Sequence, residues 1–80
     1  MRFRFYRASR VLVFKTDIEN HEKVKLLKPV FDELHSVIEW SVDTQDVDKV
    51  LRIETKGSMT ERKIIDLMST IGVACMVMTW

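Results

Sequence analysis

The residues best suited to chemistry in this sequence surround His21. Glu19 and Glu22 flank this histidine, and an imidazole nitrogen with two carboxylates is a donor set that Zn(II) or Ni(II) accepts. The same side chains also suit the exposed start of a helix, where the helix dipole favours negative charge. We therefore expect no metal here, and we keep a transition-metal site around His21 as the alternative.

A second group of potential ligands lies near the end of the chain. Cys75 is the only cysteine and is followed by Met76 and Met78, and such sulfur atoms are soft ligands for Cu(I). In a strand, both methionines point away from Cys75, so the three sulfur atoms cannot converge within one chain. Packing is their simpler role. In the metal alternative, Cys75 side chains from two copies meet across a dimer.

The sequence lacks the motifs of catalysis and of nucleic-acid binding. Gly57 and Gly72 are the only glycines, so there is no glycine-rich phosphate loop. The outward positions of the third predicted strand carry Arg52 and Glu54 rather than the aromatic side chains that stack on RNA bases. We therefore expect a protein that is not an enzyme, has no catalytic residues and binds no nucleic acid.

The charges are distributed unevenly along the 80 residues, whose net charge is +1. Residues 1–10 contain four arginines and no acidic residue, whereas the remaining seventy contain nine Lys and Arg against twelve Asp and Glu. We assign residues 1–10 to a basic N-terminal arm, most simply a frayed terminus, and residues 11–80 to one domain. The arm lacks the apolar core of a signal peptide, and no apolar run is long enough to span a membrane. We expect a cytoplasmic protein.

The spacing of apolar residues predicts four strands, over residues 11–14, 37–42, 50–54 and 73–78. In the second strand, the period of two places Ile38, Trp40 and Val42 on the core face. In the third strand, it places Leu51 and Ile53 there. A short polar link joins these two strands, which indicates an antiparallel hairpin.

Two amphipathic helices are predicted between the strands. The apolar stripe of the first helix consists of Val24, Leu27, Phe31 and Leu34. Pro29 predicts a bend in this helix. Ser58 and Glu61 form a capping-box pattern that predicts the start of the second helix, and Gly72 suits its C-terminal cap. The apolar stripe of the second helix consists of Ile64, Ile65, Leu67, Met68 and Ile71.

The element order β-α-β-β-α-β predicts an α+β ferredoxin-like sandwich, a four-stranded antiparallel sheet with two helices on one face. The other face takes either Leu12 and Phe14 or Val11 and Val13 from the first strand. Both sets are apolar, so we expect this face to bind a protein partner or a second copy of the chain. The aromatic residues of the arm are an alternative cover.

Three short segments follow the pattern of a known family. Leu34-His35-Ser36-Val37 comes after the first helix, Val42-Asp43 ends the second strand, and Ile71-Gly72 precedes the fourth. There the chain resembles the heavy-metal-associated (HMA) domain of copper chaperones and metal-pumping ATPases, which has Leu-Pro-Gly-Val, Val-Asp and Ala-Gly at these places. The resemblance covers residues 11–78 and implies the same ferredoxin-like fold.

The resemblance does not extend to the metal-binding motif of that family. HMA domains carry Met-Thr-Cys-x-x-Cys between the first strand and the first helix, where two thiolates hold Cu(I). The thiol positions fall here on Asn20 and Lys23 or, in a second alignment, on Glu19 and Glu22.

The absence of both thiols predicts a small non-catalytic binding or interaction domain without a cofactor. Its degenerate metal loop comprises Ile18, Glu19, Asn20, His21, Glu22 and Lys23. The alternative is a protein that binds or traffics Zn, Cu or Ni through a non-standard site. The candidate ligands for that site are His21, Glu19, Glu22 and Cys75.

Overall fold

The computed structural model describes residues 10–78. Along the chain it contains β1 (Arg10–Thr16), α1 (His21–Asp32), β2 (Val37–Asp43), β3 (Val50–Thr55), α2 (Glu61–Thr70) and β4 (Cys75–Val77). Of the predicted arm, only Arg10 lies within the described residues, and it is the first residue of β1. Its guanidinium donates a hydrogen bond to the main-chain oxygen of Met59 at 2.6 Å. Arg10 therefore belongs to the folded domain.

The four strands form one antiparallel sheet in the order β2-β3-β1-β4. β1 and β3 are the central strands, and β2 and β4 lie at the two edges. Each helix connects a central strand to an edge strand, α1 from β1 to β2 and α2 from β3 to β4. This topology confirms the predicted α+β ferredoxin-like βαββαβ fold.

The hydrophobic core lies between the sheet and the two helices. Its buried members are Leu12, Phe14, Ile18, Leu27, Phe31, Leu51, Ile53, Met59, Ile64, Met68 and Val73. Leu12 and Phe14 are buried, whereas Val11 is 56% exposed. Because side chains alternate along a strand, Leu12 and Phe14 face the helices, and Val11 and Val13 lie on the other face.

A β-bulge in β2 changes which of its side chains reach the core. Val37 pairs with Thr55 and Glu39 with Glu54, so two steps along β2 match a single step along β3. The extra residue is Ile38, and a bulge shifts the alternation of side chains by one position. Val37, rather than the predicted Ile38, therefore packs against the core, together with Trp40 and Val42. The prediction for the two latter residues is confirmed.

The two helices begin at polar caps. Asn20 Oδ1 accepts a hydrogen bond from the backbone N–H of Lys23 at 3.0 Å, and Thr60 Oγ1 accepts one from Lys63 at 3.2 Å. The prediction of Ser58 as the cap of α2 is wrong, because the chain turns once more before the helix starts. A cap of this kind typically contributes about 1 kcal/mol.

The C-terminus of α2 has the predicted glycine cap. Gly72 has φ +79°, and its N–H donates to the Ser69 carbonyl at 3.1 Å, while the Val73 N–H donates to the Met68 carbonyl at 2.9 Å. These two bonds define a Schellman motif. Because the cap uses Val73, β4 begins at Cys75 instead of at residue 73 as predicted.

α1 runs through Pro29 as one helix. A proline at this position cannot donate a hydrogen bond to the carbonyl four residues earlier. Leu27 and Phe31 on either side are both buried, so the apolar stripe keeps its phase across the proline. Phe31 also contacts Trp40 of β2, with a ring-centroid distance of 5.1 Å. The bend at Pro29 stays a prediction.

Candidate functional site

Both helices lie on the core side of the sheet, and within residues 10–78 no helix covers the opposite side. We call this opposite side the open sheet face. The residues on it that matter here are Val11, Glu39, Ser41, Arg52, Glu54 and Met76. Val11 is 56% exposed and Met76 64% exposed. The open sheet face thus combines two exposed apolar side chains with charged ones.

One line of residues crosses three strands of the open sheet face. Val11 of β1 pairs with Glu54 of β3, and Glu54 pairs with Glu39 of β2. We call these three residues the cross-strand row. Directly opposite side chains in an antiparallel pair have Cβ atoms about 5 Å apart, and like charges placed so are mildly destabilising. The row therefore brings two carboxylates beside an exposed valine.

A depression of about 220 Å³ contains the cross-strand row. It is lined by Val11, Glu39, Trp40, Ser41, Arg52 and Glu54. Pockets that bind small molecules usually measure roughly 300–1,000 Å³ and are mostly apolar. This depression is smaller and has three charged residues in its lining, so it suits one or two side chains of an approaching segment better than a whole substrate.

A second depression, of about 290 Å³, lies where β1 ends and β4 begins. It is lined by Lys15, Thr16, Asp17, Ala74, Cys75 and Met76. Burial, with a further contribution from the negative charge of Asp17, raises the pKa of the Cys75 thiol to about 11. Only the thiolate is an effective nucleophile or metal ligand. At neutral pH, Cys75 is consequently a poor candidate for a nucleophile.

The sulfur atoms near the C-terminus do not share a face. Thr16 pairs with Cys75 and Lys15 pairs with Met76. Cys75 is half-buried and packs against the core, whereas Met76 lies on the open sheet face. The predicted separation of these two side chains is confirmed, and it excludes a joint sulfur site within one copy of the chain.

The predicted metal loop forms the start of α1 in the structure. Ile18 is fully buried in the core, and Asn20 is the helix cap. His21 is the first residue of α1 and is exposed, as are Glu19 and Glu22. Within residues 10–78, no three His, Cys, Asp or Glu side chains come together in a way that could hold a metal ion. The loop residues therefore support a helix start.

Hydrogen bonds join this loop to two other parts of the fold. The Thr16 hydroxyl donates to the Lys49 carbonyl at 2.5 Å and accepts from the Ile18 N–H at 3.2 Å. The Asp17 carboxylate accepts from the Ala74 N–H at 3.1 Å. The loop is thus connected to the β2–β3 turn on one side and to the start of β4 on the other.

The cross-strand row is the feature that the sequence analysis missed. The alternation of the second and third predicted strands already places Glu39 and Glu54 outward. Their register is the missing information, because the bulge at Ile38 decides which outward residues are neighbours. A hairpin drawn without a bulge does not reveal this pair.

Comparisons with known proteins add no family assignment. No protein-family model, no curated protein and no solved structure gives a significant match to this chain. Within the described residues, neither helix has the length and apolar character needed to cross a lipid bilayer. The open sheet face and the loop before α1 are therefore the candidate functional regions of the described residues.

Proposed function

We propose that this protein is a small non-catalytic interaction domain, related to the heavy-metal-associated fold but without its dithiol. Its open sheet face binds a segment of a partner protein that carries basic and apolar side chains. The observation that carries this proposal is the cross-strand row, where the carboxylates of Glu39 and Glu54 lie beside exposed Val11.

The chemistry of the row favours a partner of this kind. Two neighbouring carboxylates attract a Lys or Arg side chain, which relieves their mutual repulsion. The exposed side chain of Val11 offers an apolar contact next to this charge pair. An extended segment presents alternate side chains to one side, so a basic and an apolar residue two positions apart can reach both features.

The strength of such binding is limited by exposure. Glu39 is exposed to solvent, and ion pairs between exposed groups contribute only about 0.2–1 kcal/mol each. They also weaken with salt, because the Debye length is about 8 Å at 0.15 M ionic strength. We therefore expect micromolar to millimolar affinity with a marked dependence on ionic strength.

Three properties support a binding role over catalysis. Both depressions are below the usual volume of a small-molecule pocket. The raised pKa of Cys75 keeps its thiol protonated at neutral pH. The thiol positions of the HMA motif fall either on Asn20, a helix cap that accepts the Lys23 N–H, and Lys23 itself, or on the exposed Glu19 and Glu22.

The proposal is tested by titrating a peptide into the ¹⁵N-labelled full chain and following amide chemical shifts. The probe, called the Lys–Val peptide, has the sequence Lys-Ser-Val-Ser repeated twice, so that Lys and Val alternate along one side of the extended chain; the same peptide with Glu in place of Lys is the control. We expect the Lys–Val peptide to shift the amides of Val11, Glu39 and Glu54, and the effect to disappear in a Glu39→Lys variant. A Glu33→Lys variant, which changes the charge at the end of α1, is expected to bind like the unmodified chain.

Two results would overturn the proposal. One is the absence of saturable shifts at low salt. The other is a set of shifts centred on the helices, with Glu39→Lys and Glu33→Lys reducing binding to the same extent. Either outcome would mean that the open sheet face is not a binding surface for basic segments.

A further inference from the structure

We propose that the first occupant of the open sheet face is the chain's own N-terminal segment, residues 1–9, binding in cis. This inference rests on the proposed function and names the ligand of the same site. It makes the segment a built-in competitor, which a partner protein has to displace before it can bind.

The charges of the segment complement the cross-strand row. Residues 1–9 contain three arginines, Arg2, Arg4 and Arg7, and no acidic residue. The row presents the carboxylates of Glu39 and Glu54 on adjacent strands. Arginine suits such a pair well, because its planar guanidinium donates several hydrogen bonds to carboxylate oxygens at once.

The segment also carries the apolar component that the row favours. Phe3, Phe5 and Arg7 lie at every second position of the sequence, so an extended segment presents two rings and one guanidinium to the same side. Val11 is exposed at the β1 end of the row, and the depression around the row is about 220 Å³. Aromatic residues bury large apolar areas in small contacts, so one of these rings beside Val11 adds affinity that charge alone does not provide.

The point of attachment places the segment next to the row. Residue 9 precedes Arg10, the first residue of β1, and Val11 is the next residue and a member of the row. Neighbouring strands lie about 4.8 Å apart, so the row from β1 to β2 spans roughly 10 Å. Nine residues reach about 30 Å when extended, which is ample for the segment to double back across three strands.

Attachment in the same chain allows weak contacts to suffice. A short connection within one chain gives an effective local concentration on the order of 1 mM. With an intrinsic dissociation constant near 0.1 mM for the segment, the face is then about 90% occupied in cis. An external peptide has to compete with this segment, so its apparent affinity falls about tenfold.

The test compares two triple variants of the full chain. The arm variant carries Arg2→Gln, Arg4→Gln and Arg7→Gln. The control variant removes three positive charges from the exposed surfaces of α1 and α2, at positions 25, 62 and 63. We expect the amides of Glu39, Ser41 and Glu54 to shift in the arm variant and to stay in place in the control variant.

Peptide affinity provides the second measurement. We expect the Lys–Val peptide to bind the arm variant about tenfold more tightly than the unmodified chain, and to bind the control variant like the unmodified chain. In 0.5 M NaCl, the face amides of the unmodified chain are expected to move toward their positions in the arm variant. Unfolding transitions of all three proteins well above the temperature of the titration would show that these differences do not arise from unfolding, and the arm variant is expected to melt at a lower temperature because it loses its contact in cis.

The outcomes separate this inference from the proposed function. Equal peptide affinity for the unmodified chain and the arm variant, with unchanged face amides, overturns the inference and leaves the proposed function standing. Absence of peptide binding to both proteins overturns the proposed function. Concentration-dependent sedimentation of the unmodified chain that the arm variant abolishes means that the segment reaches a second copy, which also overturns binding in cis.

Discussion

In the arm variant, where residues 1–9 no longer compete for the cross-strand row, reversing one charge of the row should stabilise the fold while it abolishes peptide binding. Glu39 lies directly opposite Glu54 on the open sheet face, so Glu39→Lys replaces a repulsive pair by an attractive one. The residue lies outside the hydrophobic core and is exposed, so the substitution leaves core packing unchanged. The effect on stability is therefore electrostatic.

The magnitude follows from the separation of the two charges. With Cβ atoms about 5 Å apart, the ends of the two flexible side chains lie roughly 7 Å apart. At that distance, two unit charges in water interact by about 0.6 kcal/mol, which screening at 0.15 M salt reduces to about 0.25 kcal/mol. Reversal changes the sign, so Glu39→Lys is expected to gain about 0.5 kcal/mol at 0.15 M salt and about 1 kcal/mol at 10 mM.

Urea unfolding at the two salt concentrations measures this gain, and Glu39→Gln should show about half of it. Ser41→Lys is the matched control for Glu39→Gln, because each substitution raises the net charge by one. Ser41→Lys, however, places a cation opposite Arg52. We expect this control to be slightly less stable than the arm variant itself. For a domain of this size, a gain of 0.5 kcal/mol corresponds to a rise of about 2–4 °C in melting temperature.

Two results would refute the reasoning. If Glu39→Gln and Ser41→Lys change stability by the same amount and sign, net charge rather than the pair is responsible. If the gain from Glu39→Lys is no larger at 10 mM than at 0.5 M salt, the effect is not a charge–charge interaction. A stabilised variant that still binds the Lys–Val peptide with unchanged affinity would separate the row from the binding surface.

Three further predictions concern other parts of the fold. Because the pKa of Cys75 is raised from 9.0 to about 11, its thiolate fraction at pH 8 is about 100-fold lower than in the unfolded chain, so reaction with a thiol reagent should be slower by at least that factor. The folded state holds this proton more tightly than the unfolded state, so the protonated thiol contributes to the free energy of unfolding. This contribution is fully present below pH 9 and is lost between pH 9 and 11. Cys75→Ala should remove this pH dependence. Gly72→Ala should cost about 1–2 kcal/mol in urea unfolding, because φ is +79°; a loss below 0.3 kcal/mol would contradict the strain argument. Native mass spectrometry with Cu(I), Zn(II) or Ni(II) should show no stoichiometric metal retention, since residues 10–78 contain no three-ligand cluster; retention that His21→Ala abolishes would favour the metal alternative.

The element order and the core were accessible from the sequence because they depend on periodicity. Leu27 and Phe31 recur at helical spacing, and Leu51 and Ile53 alternate with polar residues, so each pattern identifies both the element and its buried face. The glycine cap was predictable for a related reason, since a left-handed residue after a helix is usually glycine.

The remaining features depend on geometry that spacing does not encode. The bulge at Ile38 places Val37 against the core instead of Ile38. The sequence does not reveal this exchange, because both residues are apolar and equally suited to the core. The start of α2 was misplaced because Ser58 and Thr60 are both good caps, and only the backbone path decides between them. The sequence did not decide which side of the first strand faces the core, since Val11 and Leu12 have similar hydrophobicity. The side is determined by the helices that pack against the sheet.

The cap at Asn20 has a consequence for the design of a dithiol site in this loop. Two cysteines three residues apart, at positions 20 and 23, would replace the side chain that accepts the Lys23 N–H. The first of these substitutions would sacrifice a hydrogen bond worth about 1 kcal/mol at the start of α1. It would gain nothing until the second cysteine was also in place, since one thiol alone does not form the dithiol site. The cap therefore makes a dithiol site at this helix start difficult to reach by single substitutions.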